Sequence, residues 1–270
     1  MVDVIYTKPV LKWAGGKSQL LDDIIPRMPT KYNNYLEPFF GSGAVYFAIA
    51  PKHAIIADSN PELINLYRVI ASDVESLIEL LSTYENTKEK FYDVRSVDWK
   101  DMTPLDAAAR TVFLNKTCFN GLYRVNRKGL FNTPYANNKR TVFCDVNEIR
   151  KASVLLNTAD IICADFHKVL MEYAKEDDFV FLDPPYVPVS KYADFKRYTK
   201  EQFGEDDQRK LARDVKALCE KGCKVMLTNS NHPLVHELYG EFSIEVFQTK
   251  RMINKDANNR TGEDVIVTTY

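Results

Sequence analysis

Long apolar runs are missing from this sequence. No stretch approaches the ~20 consecutive apolar residues that a membrane-crossing helix needs, so no transmembrane span is expected. The opening MVDVIYTKPVLKW lacks the charged-then-apolar layout of a secretory signal. A cytoplasmic protein is the expectation. Cysteines are few: Cys118, Cys144, Cys163, Cys219 and Cys223 make five. An odd number without paired CxxC spacing speaks against a disulfide framework and against a structural zinc site. Histidine is scarcer, with four residues. His232 and His236 stand four apart but have no third ligand and no HExxH pattern, so no metal is expected. Acidic residues are absent from one long segment. The formal net charge is -1, yet from Arg110 to Arg140 there is no Asp or Glu. Such a basic module on a near-neutral protein can track phosphates. A solvated basic face is the plainer alternative.

What is present suits a packed core. Hydrophobic residues make up 45% of the 270, enough for one large α/β domain or one domain with a substantial insertion. Residues 9–13, PVLKW, read as a short strand or its approach. A helical spacing follows over Lys17 to Arg27. NYLEPFFGSGAVYFAIA (34–50) gives strand, glycine-bearing turn and helix. A second apolar strand ends at Asp58, and a helix begins near Pro61, a favoured first helical position. These consecutive βα units predict a parallel, doubly wound sheet. Residues 60 to 118 read as mostly helical, with Thr103 as cap and Pro104 at the first helical position. Asn120-Gly121 and Lys128-Gly129 are turn signals of a loop-and-hairpin insertion. Strand–helix alternation resumes at 159–166 and 177–186. A helix is expected from about 202 to 221, a strand at 223–230, a helix at 233–239 and two last strands at 242–250 and 263–270.

Three segments carry chemistry. EPFFGSG (37–43) follows the first strand, and its glycines let backbone approach a ligand. A tight βα turn explains a GxG as well, but Asp58 at the end of the next strand can accept hydrogen bonds from ribose hydroxyls. Together they favour a nucleoside-containing cofactor. KWAGGK (12–17) puts Lys17 at a helix start, against the helix dipole, and so calls for an anionic partner; a carboxylate-bearing ligand would serve. FVFLDPPYVP (179–188) is a wholly apolar strand ending in Asp183, as buried parallel strands do. The Asp183 carboxylate and the Pro184 carbonyl are two acceptors for the two hydrogens of an exocyclic amino group. Tyr186 offers a flat face for a planar base. A structural turn with a stray acid is the alternative.

Taken together, KWAGGK, EPFFGSG, Asp58, FNGLYRVNRKGLFNTPY (119–135) and DPPY (183–186) resemble the Dam-type DNA adenine-N6 methyltransferases of the D12 class, most closely the DpnM-like branch. The likeness runs in order over nearly the whole chain. It implies a Rossmann-like α/β methyltransferase sheet, with residues 1–59 and 143–270 forming an S-adenosylmethionine-binding catalytic domain. Residues 60–142 would be an inserted, mostly helical target-recognition domain carrying a hairpin. Trp13, Lys17, Asp58 and Asp183 would contact the cofactor, and Phe39, Phe40 and Gly41 would line its pocket. Asp165 and Phe166 would hold its adenine. Asp183, Pro184, Pro185 and Tyr186 would act on a flipped adenine, without a metal. Phe119 and Leu122 would wedge between base steps, Asn120 would lie near the flipped base, and Arg124 would read a guanine edge. Lys12 would be a second reader. Lys116, Arg127, Lys128, Lys139 and Arg140 would bind phosphates. The implied target is GATC in double-stranded DNA, with single-stranded DNA open as well, and restriction-modification is among the roles in view. Ala136 departs from the family, which often has Gly at that place.

Competing readings keep the fold or discard the chemistry. An enzyme acting on RNA or single strands shares every motif. A protein-glutamine methyltransferase has no need of an acid-free basic hairpin. A DNA-binding regulator without activity does not require an intact DPPY. A nicotinamide-dependent oxidoreductase calls for a third glycine that 37–43 lacks.

Overall fold

A computed structural model describes residues 7–13, 15–126, 128–138, 140–187, 203–250 and 261–270. Arg127 and Lys139 lie outside the described residues.

Seven strands form one sheet: β1 (Tyr35–Glu37), β2 (Ala54–Asp58), β3 (Ala159–Cys163), β4 (Phe179–Leu182), β5 (Lys224–Ser230), β6 (Ser243–Lys250) and β7 (Thr261–Thr268). Their order is β3-β2-β1-β4-β5-β7-β6. The first five strands are parallel. The expected parallel pattern fails at one edge, where β7 runs antiparallel between β5 and β6. Short-range connection permits this, because β6 and β7 need no crossover helix between them.

Side chains alternate across the sheet and feed two cores. Phe179 and Phe181 of β4 face one core, together with Tyr35, Ile56 and Met226. Val180 and Leu182 face the other, with Leu36, Val225 and Leu227. Helices cover both faces: α1 (Leu21–Ile24), α2 (Ala44–Ile49), α3 (Pro61–Ser72), α4 (Val74–Ser82), α5 (Lys88–Ser96), α6 (Pro104–Thr117), α7 (Val146–Leu156), α8 (Phe166–Tyr173), α9 (Glu205–Glu220) and α10 (Pro233–Tyr239). Caps fix several starts. Asn60 accepts from the backbone N–H groups of Glu62 and Leu63 at the head of α3, and Thr103 accepts from Asp106 at the head of α6. The helix expected over 17–27 is divided: single 3-10 turns at Lys17–Gln19 and Ile25–Arg27 flank the short α1. Pro26 has no N–H to continue the ladder.

Residues 9–13 are not a strand. The Lys12 backbone pairs with the side chain of Asn115 on α6, donating to its Oδ1 at 2.9 Å and accepting from its Nδ2 at 2.8 Å. A side chain has taken the place of a ladder.

The strand order reverses at β1. The chain runs from β1 outward to β2 and β3, then returns to place β4 on the other side of β1. Ligands of open α/β sheets bind outside the carboxyl ends of the strands at such a switch point. EPFFGSG leaves β1 there, and DPPY leaves β4.

Candidate active site and nucleic-acid interface

Lys17 is the centre of the site. Its side chain is only 5% exposed. Its Nζ meets Asp183 Oδ1 at 2.5 Å and donates to the Gly15 carbonyl at 2.6 Å. The anionic partner that its position requires is therefore the protein's own Asp183. Thr228 on β5 donates to the same Oδ1 at 2.9 Å. Burial raises the Asp183 pKa above the usual carboxylate value, while Lys17 and Thr228 act to lower it. Lys17 Nζ also lies 4.7 Å from the centre of the Tyr186 ring, a cation–π contact. Tyr186 donates from its hydroxyl to Asp264 Oδ2 at 3.3 Å. Burial, then the charges of Asp183 and Asp264, push the Tyr186 phenol well above its ordinary pKa. It is un-ionised, so its hydroxyl donates. Pro184 is buried and Pro185 is half-buried, its carbonyl accepting from Gln208 at 2.8 Å.

Beside this cluster sit the turns after β1 and β2. Asp58 accepts from the Gly41 N–H at 3.0 Å and the Asn60 N–H at 2.9 Å. Burial raises its pKa and these N–H bonds oppose the rise. Gly41 has φ of +49° and lies against the indole edge of Trp13, where an added Cβ would stand 3.0 Å from Cδ1. Only glycine suits both conditions. Phe40 packs into the core, edge-on to Tyr67 at 4.7 Å. Phe39 instead stacks on Phe166 at 5.2 Å, and Phe203 closes against both. Asp165 caps α8 by accepting from His167 N–H at 3.0 Å. Lys210 stands 3.7 Å from the Asp165 carboxylate and 5.3 Å from the Phe166 ring centre.

Residues 118–135 supply a second surface. Isolated antiparallel bridges, Cys118 with Tyr135 and Val125 with Phe131, hold its hairpin. Phe119 is 53% exposed, a large apolar ring at the surface. Asn120 is exposed with φ of +56°. Leu122 is half-buried. Arg124 is exposed and donates to Asn132 Oδ1 at 2.8 Å from across the hairpin, which holds its guanidinium outward. Lys12, Lys128 and Arg140 are exposed. Lys116 is half-buried, and burial followed by the nearby Lys12 charge lowers its pKa. Lys12 and Lys116 thus share one side of the turn.

The match to known families now decides the class. Residues 13–253 match the model for D12 class N6 adenine-specific DNA methyltransferases. This chain belongs to that family. The methyltransferase is 42% identical over 275 residues to the type II methyltransferase M1.LlaDCHI of Lactococcus lactis subsp. cremoris, covering 98% of this chain and 96% of that one. It is 41% identical to the type II methyltransferase M.MjaIII of Methanocaldococcus jannaschii, with 94% and 95% covered. With the DNA adenine methylase of Escherichia coli K12 the identity is 31%, with 96% and 94% covered. The enzyme methylates N6 of adenine in DNA. No helix among its described residues is long and apolar enough to cross a membrane. No cluster of three or more His, Cys, Asp or Glu among those residues is arranged for a metal. His232 instead caps α10, accepting from Leu234 N–H at 3.1 Å.

Several residues of this candidate site escaped sequence reading. Thr228, Asp264, Phe203 and Lys210 reach it from elements far along the chain. Glu37 is 3% exposed and accepts from the Tyr35 hydroxyl at 2.7 Å. Burial holds its pKa well above normal, and the Asp183 charge adds to the rise. Its place in EPFF was visible; its burial was not. Tyr123 stacks on Trp13 with centroids 5.0 Å apart and donates to Glu62 Oε2 at 2.6 Å.

Proposed function

We propose that the enzyme takes its methyl group from S-adenosylmethionine and delivers it to the adenine of GATC, after rotating that base out of the duplex. The supporting observation is the Lys17–Asp183–Thr228 cluster at the switch point, with Tyr186 beside it. When bound, S-adenosylmethionine supplies an electrophilic sulfonium methyl. The chain fits such a ligand. Asp58 retains acceptor capacity beyond its two N–H bonds for ribose hydroxyls, since a carboxylate has about four lone-pair sites. Phe39 and Phe166 offer aromatic surface for an adenine, although at 5.2 Å they touch and no base fits between them as they stand. The Asp183 carboxylate puts negative potential near a sulfonium.

On the substrate side, Lys17 and Thr228 both engage Asp183 Oδ1. Oδ2 and the Pro184 carbonyl accept the two N6 hydrogens. These bonds favour a localised lone pair on a nitrogen otherwise delocalised into the ring. Tyr186 stacks on the base. Positioning of nitrogen against methyl supplies much of the rate. Residues 60–142 serve as the recognition region: Phe119 and Leu122 fill the space left by the base, Arg124 pairs with a guanine, and Lys12 is a second reader. Lys116, Lys128 and Arg140, with Arg127 and Lys139, meet phosphates. Because two relatives are named type II methyltransferases, the modification half of a restriction-modification pair is the role proposed.

The test compares tritiated methyl incorporation into a GATC duplex, a scrambled duplex, single-stranded DNA, RNA and protein. Label confined to GATC-bearing DNA is expected. Equal labelling of scrambled duplex would discard the target, and labelling of RNA or protein alone would discard the substrate class.

A further inference from the structure

The loop that carries Lys17 and the turn that carries Arg124 are joined by one buried amide. Asn115 lies in the last turns of α6 and is 1% exposed. Its Oδ1 accepts from Lys12 N–H at 2.9 Å, and its Nδ2 donates to Lys12 O at 2.8 Å and to Gly121 O at 3.3 Å. A buried amide with every group satisfied is specific in geometry, because an unmet partner is costly. The two segments also interlock sterically. Gly121 has φ of +64°, and a Cβ there would stand 2.6 Å from both Cβ and Cδ of Lys12. The Lys12 stem therefore lies directly on the Gly121 backbone. One residue later, Trp13 stacks on Tyr123 on one side and abuts Gly41 on the other.

These contacts make a continuous joint from Asp58, through Gly41 and Trp13, to Tyr123 and the hairpin. Sequence alone places Asn115 on a helix with no visible task. We propose that Asn115 is a positioning residue that couples occupancy of the cofactor pocket to reading of the duplex. A ligand that fixes residues 12–17 also fixes 119–124 through this amide, so the second ligand has less ordering left to do. The inference rests on the assignment of the two surfaces made above.

The experiment measures binding of a fluorescein-labelled GATC duplex with and without S-adenosylhomocysteine, which cannot donate a methyl. Wild-type protein, Asn115→Ala and Asn115→Asp are compared, with fold checked by circular dichroism. Wild type is expected to bind duplex 5- to 150-fold more tightly when the pocket is filled, the usual span of such coupling. In Asn115→Ala the enhancement should fall below about twofold, while S-adenosylhomocysteine alone binds within about threefold of wild type. Asn115→Asp should lose it as well, because a carboxylate accepts from Lys12 N–H but cannot donate to Lys12 O or Gly121 O. If neither variant folds, Gly121→Ala opens the same joint from its other side and should abolish the enhancement. Wild-type protein that binds neither ligand would defeat the site assignment and this inference together. Wild type that binds both without coupling, or a folded variant that keeps the coupling, overturns the role of Asn115 alone.

Discussion

The strand-end pocket and the hairpin differ in what they leave exposed. In the pocket, each key polar side chain is fixed by a partner from a different element: Lys17 by Asp183, Asp183 by Thr228, Asp58 by Gly41. In the hairpin, the inner side is anchored to other elements, Tyr123 to Glu62 on α3 and Gly121 to Asn115 on α6, while the outward Arg124 is held by Asn132, eight residues away. One region is buried or half-buried throughout. The other has a buried inner side, with Val125 and Phe131, and an exposed outer one, with Arg124 and Lys128. The contrast fits the two tasks proposed for these regions: methyl transfer needs acceptors fixed in one geometry before substrate arrives, whereas base edges and phosphates are met by side chains presented to solvent.

The largest effect should come from the pocket. Asp183→Ala is expected to lower methyl transfer by about a thousandfold, in the range seen when a preorganised polar group is removed from a reacting centre. It should also weaken cofactor binding. Single-turnover labelling of a GATC duplex measures the first and equilibrium binding the second; unaltered turnover would refute the assigned site.

Between the two regions lies a buried ion pair whose loss should be felt in stability. Glu62 and Arg110 are each 2% exposed, with Oε1 and Nη1 2.7 Å apart, and Tyr123 and Thr111 donate to the same carboxylate. Glu62→Ala leaves the Arg110 charge buried and unpaired, which costs about 3–5 kcal/mol. Urea unfolding gives that loss directly, and a change below about 1 kcal/mol would mean that water reaches Arg110.

The hairpin should respond more gently and more selectively. Arg124→Ala is expected to relax discrimination at one guanine by about 1–3 kcal/mol and leave cofactor affinity alone. Competition between duplexes altered at single positions resolves this. A uniform loss on all DNA would make Arg124 a phosphate contact.

The smallest effect is a shift in pH dependence. Thr228 donates to the ionised form of Asp183, so its hydroxyl lowers that pKa. Thr228→Val removes the bond and raises the pKa further. The carboxylate is then lost at higher pH as acid is added, and the acid limb of the single-turnover rate should move upward. A limb that stays put, or moves down, would detach Asp183 from the observed titration.

Much of this was legible in local pattern. The apolar run before Asp183, the Asn60 and Pro61 start of α3 and the Thr103 cap of α6 are short-range features, and each appears where the residues put it. The family resemblance also reached the right class from motif order. The pieces that local pattern left open share one cause. PVLKW has the apolar character of a strand but finds Asn115, more than a hundred residues away, in place of a ladder partner. Lys17 requires an anion, and sequence could not tell a ligand carboxylate from Asp183, far off in the chain. Thr228, Asp264 and Phe203 carry no local signal at all.

By itself the sequence determined the βα alternation, the strand-end acids, the acid-free basic segment and the membership of a methylating family. Periodicity, capping and turn chemistry act over a few residues and survive being read in one dimension. Only the tertiary structure decided that Lys17 closes on Asp183, that Glu37 is buried, that β7 reverses the sheet, and that one amide on α6 ties the loop before Lys17 to the hairpin. Those outcomes depend on which distant groups become neighbours once the sheet has formed, and burial and charge pairing have no value until that happens.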